Sequence, residues 1–145
     1  MADITHGTWI KDGKAVDKVF SDGRQVYGRN LFSIHDWDAK PYLVSNFVTY
    51  MNMQLEPSTA YTLTTNIGLK SKGWADVFLF KDDEIPGTKT AGVSSGVGRT
   101  LTTSSTGNVK VGVRDYSVSD GTNWIKLEKG TTATPYSLAP EDILN

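Results

Sequence analysis

The sequence predicts an all-β protein of sandwich or barrel type. β-branched and aromatic residues run through the whole chain, and glycine and threonine recur in the gaps between them. No long stretch shows the 3.6-residue apolar period of an amphipathic helix. Short runs of alternating apolar and polar residues are instead separated by turn residues. This spacing is typical of a two-sheet antiparallel sandwich.

Composition excludes several classes of function. The 145 residues allow one ordinary domain and a short appendage, and 38% hydrophobic with 21% charged residues argues against disorder. The formal net charge of −1 provides no excess of positive charge with which to bind nucleic acid or an anionic membrane. The absence of cysteine excludes disulfides, thiol catalysis and cysteine-bound zinc. No apolar run is long enough to span a bilayer, and the N-terminal residues do not resemble a secretory signal.

The first 28 residues contain a short internal repeat. The segments 10–16 and 20–26 both read apolar, polar, Asp, Gly, basic, any residue, Val, and are offset by ten residues. An Asp-Gly pair between β-forming residues predicts a tight hairpin turn, because that turn needs positive φ. We therefore predict a hairpin leader over residues 1–28 and a main module over residues 29–145, divided at Gly28-Arg29-Asn30.

A leader of this length cannot bury its apolar side chains by itself. We predict that these side chains form an assembly interface with sister chains or with a larger complex. The alternative is a ribbon that lies on its own module. The residues assigned to the interface are Trp9, Val19, Phe20, Val26 and Tyr27.

Alternation places the strands of the module. Residues 47–53, 61–65 and 109–113 alternate between two faces, residues 75–80 are apolar on both faces and predict a central strand, and residues 124–128 form the last clear strand. If Val109, Val111 and Val113 face the core, then Lys110, Gly112, Arg114 and Tyr116 share the opposite face. If Ile125 and Leu127 face the core, then Trp124, Lys126 and Glu128 point outward.

Two stretches resemble a known family. Residues 124–137, which read WIKLEKGTTATPYS, are similar to the closing strand and tail of jelly-roll modules in tail and baseplate proteins of phages that infect Gram-positive bacteria. There a K-L-E-x-G-x-x-A-T-x-[WY] run ends the domain, typically before an acidic, proline-containing tail such as Ala139-Pro140-Glu141-Asp142 here. Residues 55–63 resemble an L-x-P-x-T-x-Y-T-L strand of the same modules, and residues 26–31 resemble the end of their leader.

This resemblance implies a galactose-binding-like jelly roll and a virion protein made in the host cytoplasm. It implies host cell-wall polysaccharide and other virion proteins as partners. It also implies a homo-oligomer, with a trimer favoured because trimers are common in such fibres. The alternative function is a purely structural virion decoration or connector. The resemblance does not assign the residues that contact the ligand.

Saccharide binding needs flat aromatic faces and groups that hydrogen-bond hydroxyls. One predicted binding face contains Arg114, Tyr116, Trp124 and Lys126, beside the hollow left by Gly112. A purely structural interpretation makes Lys126 and Glu128 an ordinary cross-strand pair.

Two further tryptophans are candidates for ligand contact. Trp37 lies in the polar stretch 34–42 between two aspartates, so we predict an exposed, ligand-facing loop residue. Trp74 opens an apolar strand, where core packing is favoured and contact at the rim of a binding site is the alternative.

Catalysis is not predicted. The carboxylates Asp82, Asp83 and Glu84 are adjacent in a polar loop, and neither histidine has a nucleophile partner in a known motif. The glycine-rich stretch 92–98 lacks the lysine and the following helix of a phosphate-binding loop. We expect no cofactor, and structural calcium bound by loop carboxylates remains an alternative.

Overall fold

The computed structural model describes residues 2–5, 7–39, 43–45, 48–67, 77–81, 91–93, 99–114 and 123–144. Within these residues the strands pair antiparallel and form four sheets, two in the leader and two in the module. The two module sheets pack against each other around an apolar core. The predicted all-β sandwich is therefore confirmed.

The leader consists of two ribbons. The first ribbon contains β1 (Ala2–Thr5), β2 (Thr8–Lys11) and β3 (Lys14–Ala15), with β2 in the middle. The second ribbon contains β4 (Lys18–Ser21) and β5 (Arg24–Gly28).

Both predicted hairpin turns are confirmed. Asp12 and Gly13 have φ angles of 53° and 75°, and Asp22 and Gly23 have φ angles of 52° and 75°. Positive φ at both central positions is the geometry of a type I′ turn, whose twist matches the flanking strands. The Asp-Gly pair is therefore the local cause of each hairpin.

The module contains a larger and a smaller sheet. The larger sheet has the order β10-β9-β12-β7-β6, where β6 is Leu43–Ser45, β7 is Val48–Gln54, β9 is Val77–Lys81, β10 is Ala91–Val93 and β12 is Asn108–Arg114. The smaller sheet has the order β11-β8-β13, where β8 is Ala60–Thr65, β11 is Arg99–Thr102 and β13 is Ile125–Lys129.

The core lies between these two sheets. Val109, Val111 and Val113 enter it from β12, and Ile125 and Leu127 enter it from β13, all of them buried. These positions follow the predicted alternation, because successive side chains of a strand point to opposite faces.

Strand β9 is central and buried on both faces, as its apolar sequence predicts. It lies between β10 and β12, and Val77 and Leu79 belong to the main core. Phe78 and Phe80 stack on its other face, where they form a second buried cluster with Tyr50.

Two short helices complete the described fold, α1 (Ile34–Ala39) and α2 (Glu141–Leu144). Trp37 lies on α1, is only 6% exposed and packs against Phe32 at a ring-centroid distance of 5.6 Å. The predicted exposed loop around Trp37 is therefore wrong. Ser33 begins the helix, because its Oγ accepts a hydrogen bond from the Asp36 amide at 3.1 Å.

Several predictions lie outside the described residues. They concern the candidate binding residues Trp74 and Tyr116, the carboxylates Asp82, Asp83 and Glu84, and part of the glycine-rich stretch 92–98. These stay predictions from the sequence.

Candidate functional site

The predicted binding face is divided between two sheets. Arg114 ends β12 in the larger sheet, whereas Lys126 lies on β13 in the smaller sheet. Both strands contribute buried residues to the same core, so their outward faces look away from each other. The prediction that Arg114, Trp124 and Lys126 converge on one sheet face is therefore wrong. Strand alternation predicts which residues share a face but not which sheet a strand joins.

The outward face of β13 is covered by other parts of the chain. Lys126 and Glu128 do lie opposite the core residues Ile125 and Leu127, yet both are 0% exposed. Because its ammonium group is out of reach of an external ligand, Lys126 is not a residue that can hydrogen-bond a saccharide. The structural interpretation of this pair is the one that its burial supports.

Thr134 is the centre of a buried polar network. Its Oγ1 donates a hydrogen bond to Glu128 Oε1 at 2.7 Å and accepts two, from Lys126 Nζ at 2.8 Å and from the Gly28 amide at 3.1 Å. Its own amide donates to Glu128 Oε2 at 3.1 Å. We use the term C-terminal tail for residues 130–144, which follow β13. Thr134 belongs to this tail and connects it to the leader and to β13.

The remaining contacts of Lys126 satisfy its charge. Its Nζ donates to the carbonyl oxygen of Pro135 at 2.7 Å and lies 3.9 Å from Glu128 Oε2. It also lies 5.5 Å from the centroid of the Tyr27 ring, within range of a cation–π contact. Buried charges are tolerated when they are paired and hydrogen-bonded in this way.

Burial shifts both ionisable partners toward their neutral forms. Loss of solvation lowers the pKa of Lys126 from 10.5, and the Glu128 charge offsets part of that effect. Loss of solvation raises the pKa of Glu128 from 4.5, against the hydrogen bonds from Thr134 and the charge of Lys126.

Trp124 stacks on Tyr136. Their ring centroids are 4.6 Å apart with an interplanar angle of 20°, and both residues are partly exposed. The stack ties the start of β13 to the tail and covers one face of each ring. The aromatic residue near the end of the closing motif therefore has a structural role. Trp124 remains an aromatic residue within reach of water.

Asn30 fixes the junction of leader and module. Its Nδ2 donates to the carbonyl oxygens of Ile125 and Ser137 at 3.0 and 2.9 Å, and its Oδ1 accepts from the amides of Phe32 and Leu127 at 2.9 and 3.0 Å. All the hydrogen-bonding groups of the side-chain amide are thus used. In the sequence this residue marks only a boundary.

The leader is docked on its own module. Tyr27 is buried, Trp9 is partly buried against it, and Thr8 donates a hydrogen bond to the carbonyl oxygen of Leu138. A Cβ at Gly28 would overlap the Glu128 carboxylate, so this close approach requires glycine. The predicted assembly role of Tyr27 is therefore wrong, and the alternative of a ribbon lying on its own module holds for it.

The other predicted interface residues differ in exposure. Val19 is partly buried, whereas Phe20 is 61% and Val26 is 42% exposed. Among the described residues these two are the most exposed large apolar side chains. Both belong to the second ribbon.

An open pocket of about 690 Å³ lies where the leader meets the module. We call it the junction pocket. The leader contributes Asp17 and Lys18, and the segment that follows β5 contributes Arg29 and Leu31. The module contributes Gln54, Leu55, Glu56, Tyr61 and Lys129.

Four of the five charged residues that line the junction pocket form two pairs, and the fifth is Lys18. Arg29 Nη1 lies 3.4 Å from Asp17 Oδ1, and Lys129 forms an ion pair with Glu56. The hydrogen bond and charge of Glu56 raise the pKa of Lys129 above 10.5, which keeps the ammonium charged. The connection between β7 and β8, which carries Glu56, is held in place because the buried Tyr61 hydroxyl accepts a hydrogen bond from the Glu56 amide at 2.9 Å.

The sequence gives no local signal for the junction pocket. Its walls come from several separate stretches of the chain, and none of them contains a recognisable binding motif. The leader boundary at residue 28 is the one feature that locates it, because ligand pockets often form where two structural units meet.

No group of three or more histidine or acidic side chains is positioned to hold a metal ion in the part of the chain that the structure describes. The described helices are too short to cross a membrane. Comparison with protein-family models, with curated proteins and with solved structures gave no match.

Proposed function

We propose that the chain is a non-catalytic phage virion protein, of tail or baseplate type, that binds host cell-wall saccharide. The observation that carries the proposal is the junction pocket, which is open to solvent and lined by two pairs of a carboxylate and a cation and by two leucine side chains. The sheet face that the sequence predicted as the binding site is not part of this proposal, because its residues are divided between two sheets.

The lining of the junction pocket matches the chemistry of a pyranose. Sugar hydroxyls both donate and accept hydrogen bonds, and the pocket offers acceptors on Asp17 and Glu56 and donors on Arg29 and Lys129. Leu31 and Leu55 provide apolar surface for the C–H face of the ring. Charge-assisted bonds of this kind fix orientation, which gives specificity.

The virion assignment rests on the closing motif. Its lysine, glutamate and threonine form the buried network that holds leader, β13 and tail together, so the motif describes an architecture rather than a ligand site. The jelly-roll assignment is supported by the strand order. Strands β7, β9 and β12 lie in the larger sheet and strands β8, β11 and β13 lie in the smaller one, so the chain passes repeatedly from one sheet to the other. In the larger sheet β12 is joined to its neighbours β7 and β9 by crossovers, whereas β6 and β7, and β9 and β10, are consecutive strands.

Single-site affinity is expected to be weak, since an open pocket buries only part of a sugar. Many copies on one particle convert weak sites into strong attachment.

A retention assay on host cell walls tests the proposal. Protein should be retained on walls stripped of protein and released when the wall polysaccharide is removed. The double variant Glu56→Ala/Lys129→Ala, which removes one exposed charge pair of the pocket, should lose most of the retention. The control Lys11→Ala/Lys14→Ala removes two exposed cations of the first ribbon, outside the pocket lining, and should be retained as well as the wild type.

Two results would contradict the proposal. Retention that is unchanged in Glu56→Ala/Lys129→Ala would exclude the junction pocket as the site. Release of free sugar from the polysaccharide during incubation would identify an enzyme instead.

The second candidate is a structural connector that binds other virion proteins. The observation that favours it is the exposure of Phe20 and Val26 on the second ribbon. Absence of wall retention, together with a tight virion partner, would support the connector and not the saccharide receptor.

A further inference from the structure

The two copies of the leader repeat bury their apolar residues differently. Ile10 in the first copy occupies the same position as Phe20 in the second, and Val16 the same position as Val26. Ile10 is 9% exposed, whereas Phe20 is 61% exposed. Equivalent positions of one repeated unit therefore lie in different surroundings.

The two ribbons also differ in the number of their strands. In the first ribbon β1 pairs with β2, and Asp3 lies directly opposite Ile10. Among the described residues the second ribbon contains β4 and β5 alone. A two-stranded hairpin is only marginally stable in water, and a third strand is what usually stabilises it. Within the described residues, the second ribbon thus lacks the strand that β1 supplies to the first.

The edge available for a third strand is that of β4. The pairing of β4 with β5 shifts register between Val19 and Phe20, which leaves Val26 as an extra residue in β5. Such a bulge interrupts the regular pattern that edge pairing needs. The end of β5 is also covered, because Gly28 is buried beside Glu128. Strand β4 has no bulge of its own, and Lys18, Phe20 and Ser21 are exposed.

We propose that the missing strand is β4 of a second copy of this chain. The two β4 strands pair antiparallel about a twofold axis at Phe20, so the two second ribbons form one four-stranded sheet. Pairing of an exposed strand edge supplies main-chain hydrogen bonds, and the two Phe20 rings become cross-strand neighbours. The interface is isologous, since the same edge is used on both copies.

Charge complementarity selects the partner and the register. When the two Phe20 residues lie opposite each other, Lys18 of each copy lies beside Asp22 of the other copy. Asp22 is at the tip of the hairpin. Both side chains are exposed in the single chain, so both are available for two symmetric ion pairs. A shift of one residue in one direction would place Asp17 beside Asp22, and like charges opposite each other are unfavourable. A shift in the other direction would place Phe20 opposite Ser21, so the contact between the two Phe20 rings would be lost.

This dimer goes beyond the saccharide proposal and does not depend on it. It replaces the trimer implied by the family resemblance with a twofold assembly. Because Asp17 and Lys18 line the junction pocket and flank the paired edge, the dimer also places two pockets near one interface.

The solution mass of the full chain tests the dimer. Light scattering coupled to size exclusion should give twice the chain mass of 15.9 kDa. Phe20→Asp places two carboxylates opposite each other and should give the single-chain mass, whereas Val26→Asp, on β5, should stay dimeric. Equal melting cooperativity of the two variants shows that Phe20→Asp has not simply unfolded.

Disulfide trapping provides an independent measurement. The chain has no cysteine, so Phe20→Cys introduces a single thiol. Directly opposed residues of an antiparallel pair are close enough for a disulfide. Mild oxidation should convert Phe20→Cys to a covalent dimer and leave Val26→Cys single. A monomeric or trimeric wild type, or equal cross-linking of the two variants, would overturn the proposal. Wall retention is measured separately, so its failure and the failure of the dimer are distinguishable.

Discussion

The Thr134 hydroxyl uses its full hydrogen-bonding capacity. It donates to Glu128 and accepts from Lys126 and from the Gly28 amide, so three parts of the chain depend on one oxygen. A buried network of this kind is stable only while each member keeps its partners. The docking of the leader is therefore sensitive to the substitution of single residues in this network.

Replacing Thr134 by valine keeps the shape of the side chain and removes its oxygen. We expect the free energy of unfolding to fall by about 3 kcal/mol, since Lys126 and Glu128 each lose a buried partner. The exposed Thr132 offers a matched control, and Thr132→Val should change stability by less than about 0.5 kcal/mol. Urea denaturation measures both. Equal losses in the two variants would show that the network contributes little.

The pH dependence of stability has a predicted direction at Glu128. Its pKa is raised above 4.5 in the folded chain, so the folded protein holds this proton to higher pH than the unfolded chain does. The stability contributed by Glu128 is therefore greatest below pH 4.5 and falls as pH rises through the folded pKa. The variant Glu128→Gln has no ionisable carboxyl group at this position, so it serves as the reference for the wild type.

Melting temperatures of wild type and Glu128→Gln, measured from acid to neutral pH, test this direction. The stability of the wild type relative to the variant should decrease across that range. A relative stability that increases with pH would mean that Lys126 and Thr134 hold the carboxylate charged more strongly than burial opposes it.

At the scale of elements, the acidic tail acts as a helix cap. Asp142 accepts hydrogen bonds from the Ser33 hydroxyl at 2.7 Å and from the amides of Ile34 and His35 at 2.9 and 3.0 Å. These amides belong to the first turn of α1, where backbone donors have no partner within the helix. A negative charge at this end is also favourable to the helix dipole. The tail thereby fixes the helix that buries Trp37.

Removing this cap should weaken the packing of α1. Asp142→Ala should lower the free energy of unfolding by about 1–2 kcal/mol, and Asp142→Asn, which keeps one acceptor, should lower it by less. Thermal unfolding ranks the two variants, and Trp37 fluorescence reports the packing of the helix. Equal stability of Asp142→Ala and the wild type would contradict the capping role.

Elements set by local chemistry could be predicted from the sequence, and elements set by distant contacts could not. The two Asp-Gly turns were predictable because positive φ is a property of the turn residues themselves. The core faces of β12 and β13 were predictable from alternation. The burial of Lys126 was not, because the cover over β13 comes from leader and tail. The helix at Trp37 was missed because its cap, Asp142, lies over a hundred residues away.

At the scale of the whole molecule, leader and module form one docked unit. The amide of Gly28, the last leader residue, is hydrogen-bonded to Thr134, and the amide of Leu31, just after the leader, is hydrogen-bonded to the Leu127 carbonyl oxygen. The end of the leader is thus tied to the C-terminal tail, and the segment that follows it is tied to β13. The boundary predicted at residue 28 separates two units by sequence character. The contacts across it show that they are held together.

Native-state hydrogen exchange tests this coupling. The amides of Gly28 and Leu31 should be protected to nearly the same free energy as the core amide of Leu127, because they open only when the module opens. The tip amides of Gly13 and Gly23 are a built-in control and should exchange quickly, since both residues are exposed. Fast exchange at Gly28 would show that the leader detaches on its own.

The most direct test of the saccharide claim is a titration of isotope-labelled protein with solubilised wall polysaccharide fragments, followed by amide chemical shifts. We predict concentration-dependent shifts that cluster around Asp17, Arg29, Leu55, Glu56 and Lys129, the walls of the junction pocket. Shifts confined to other surfaces, or no shifts at all, would contradict the account.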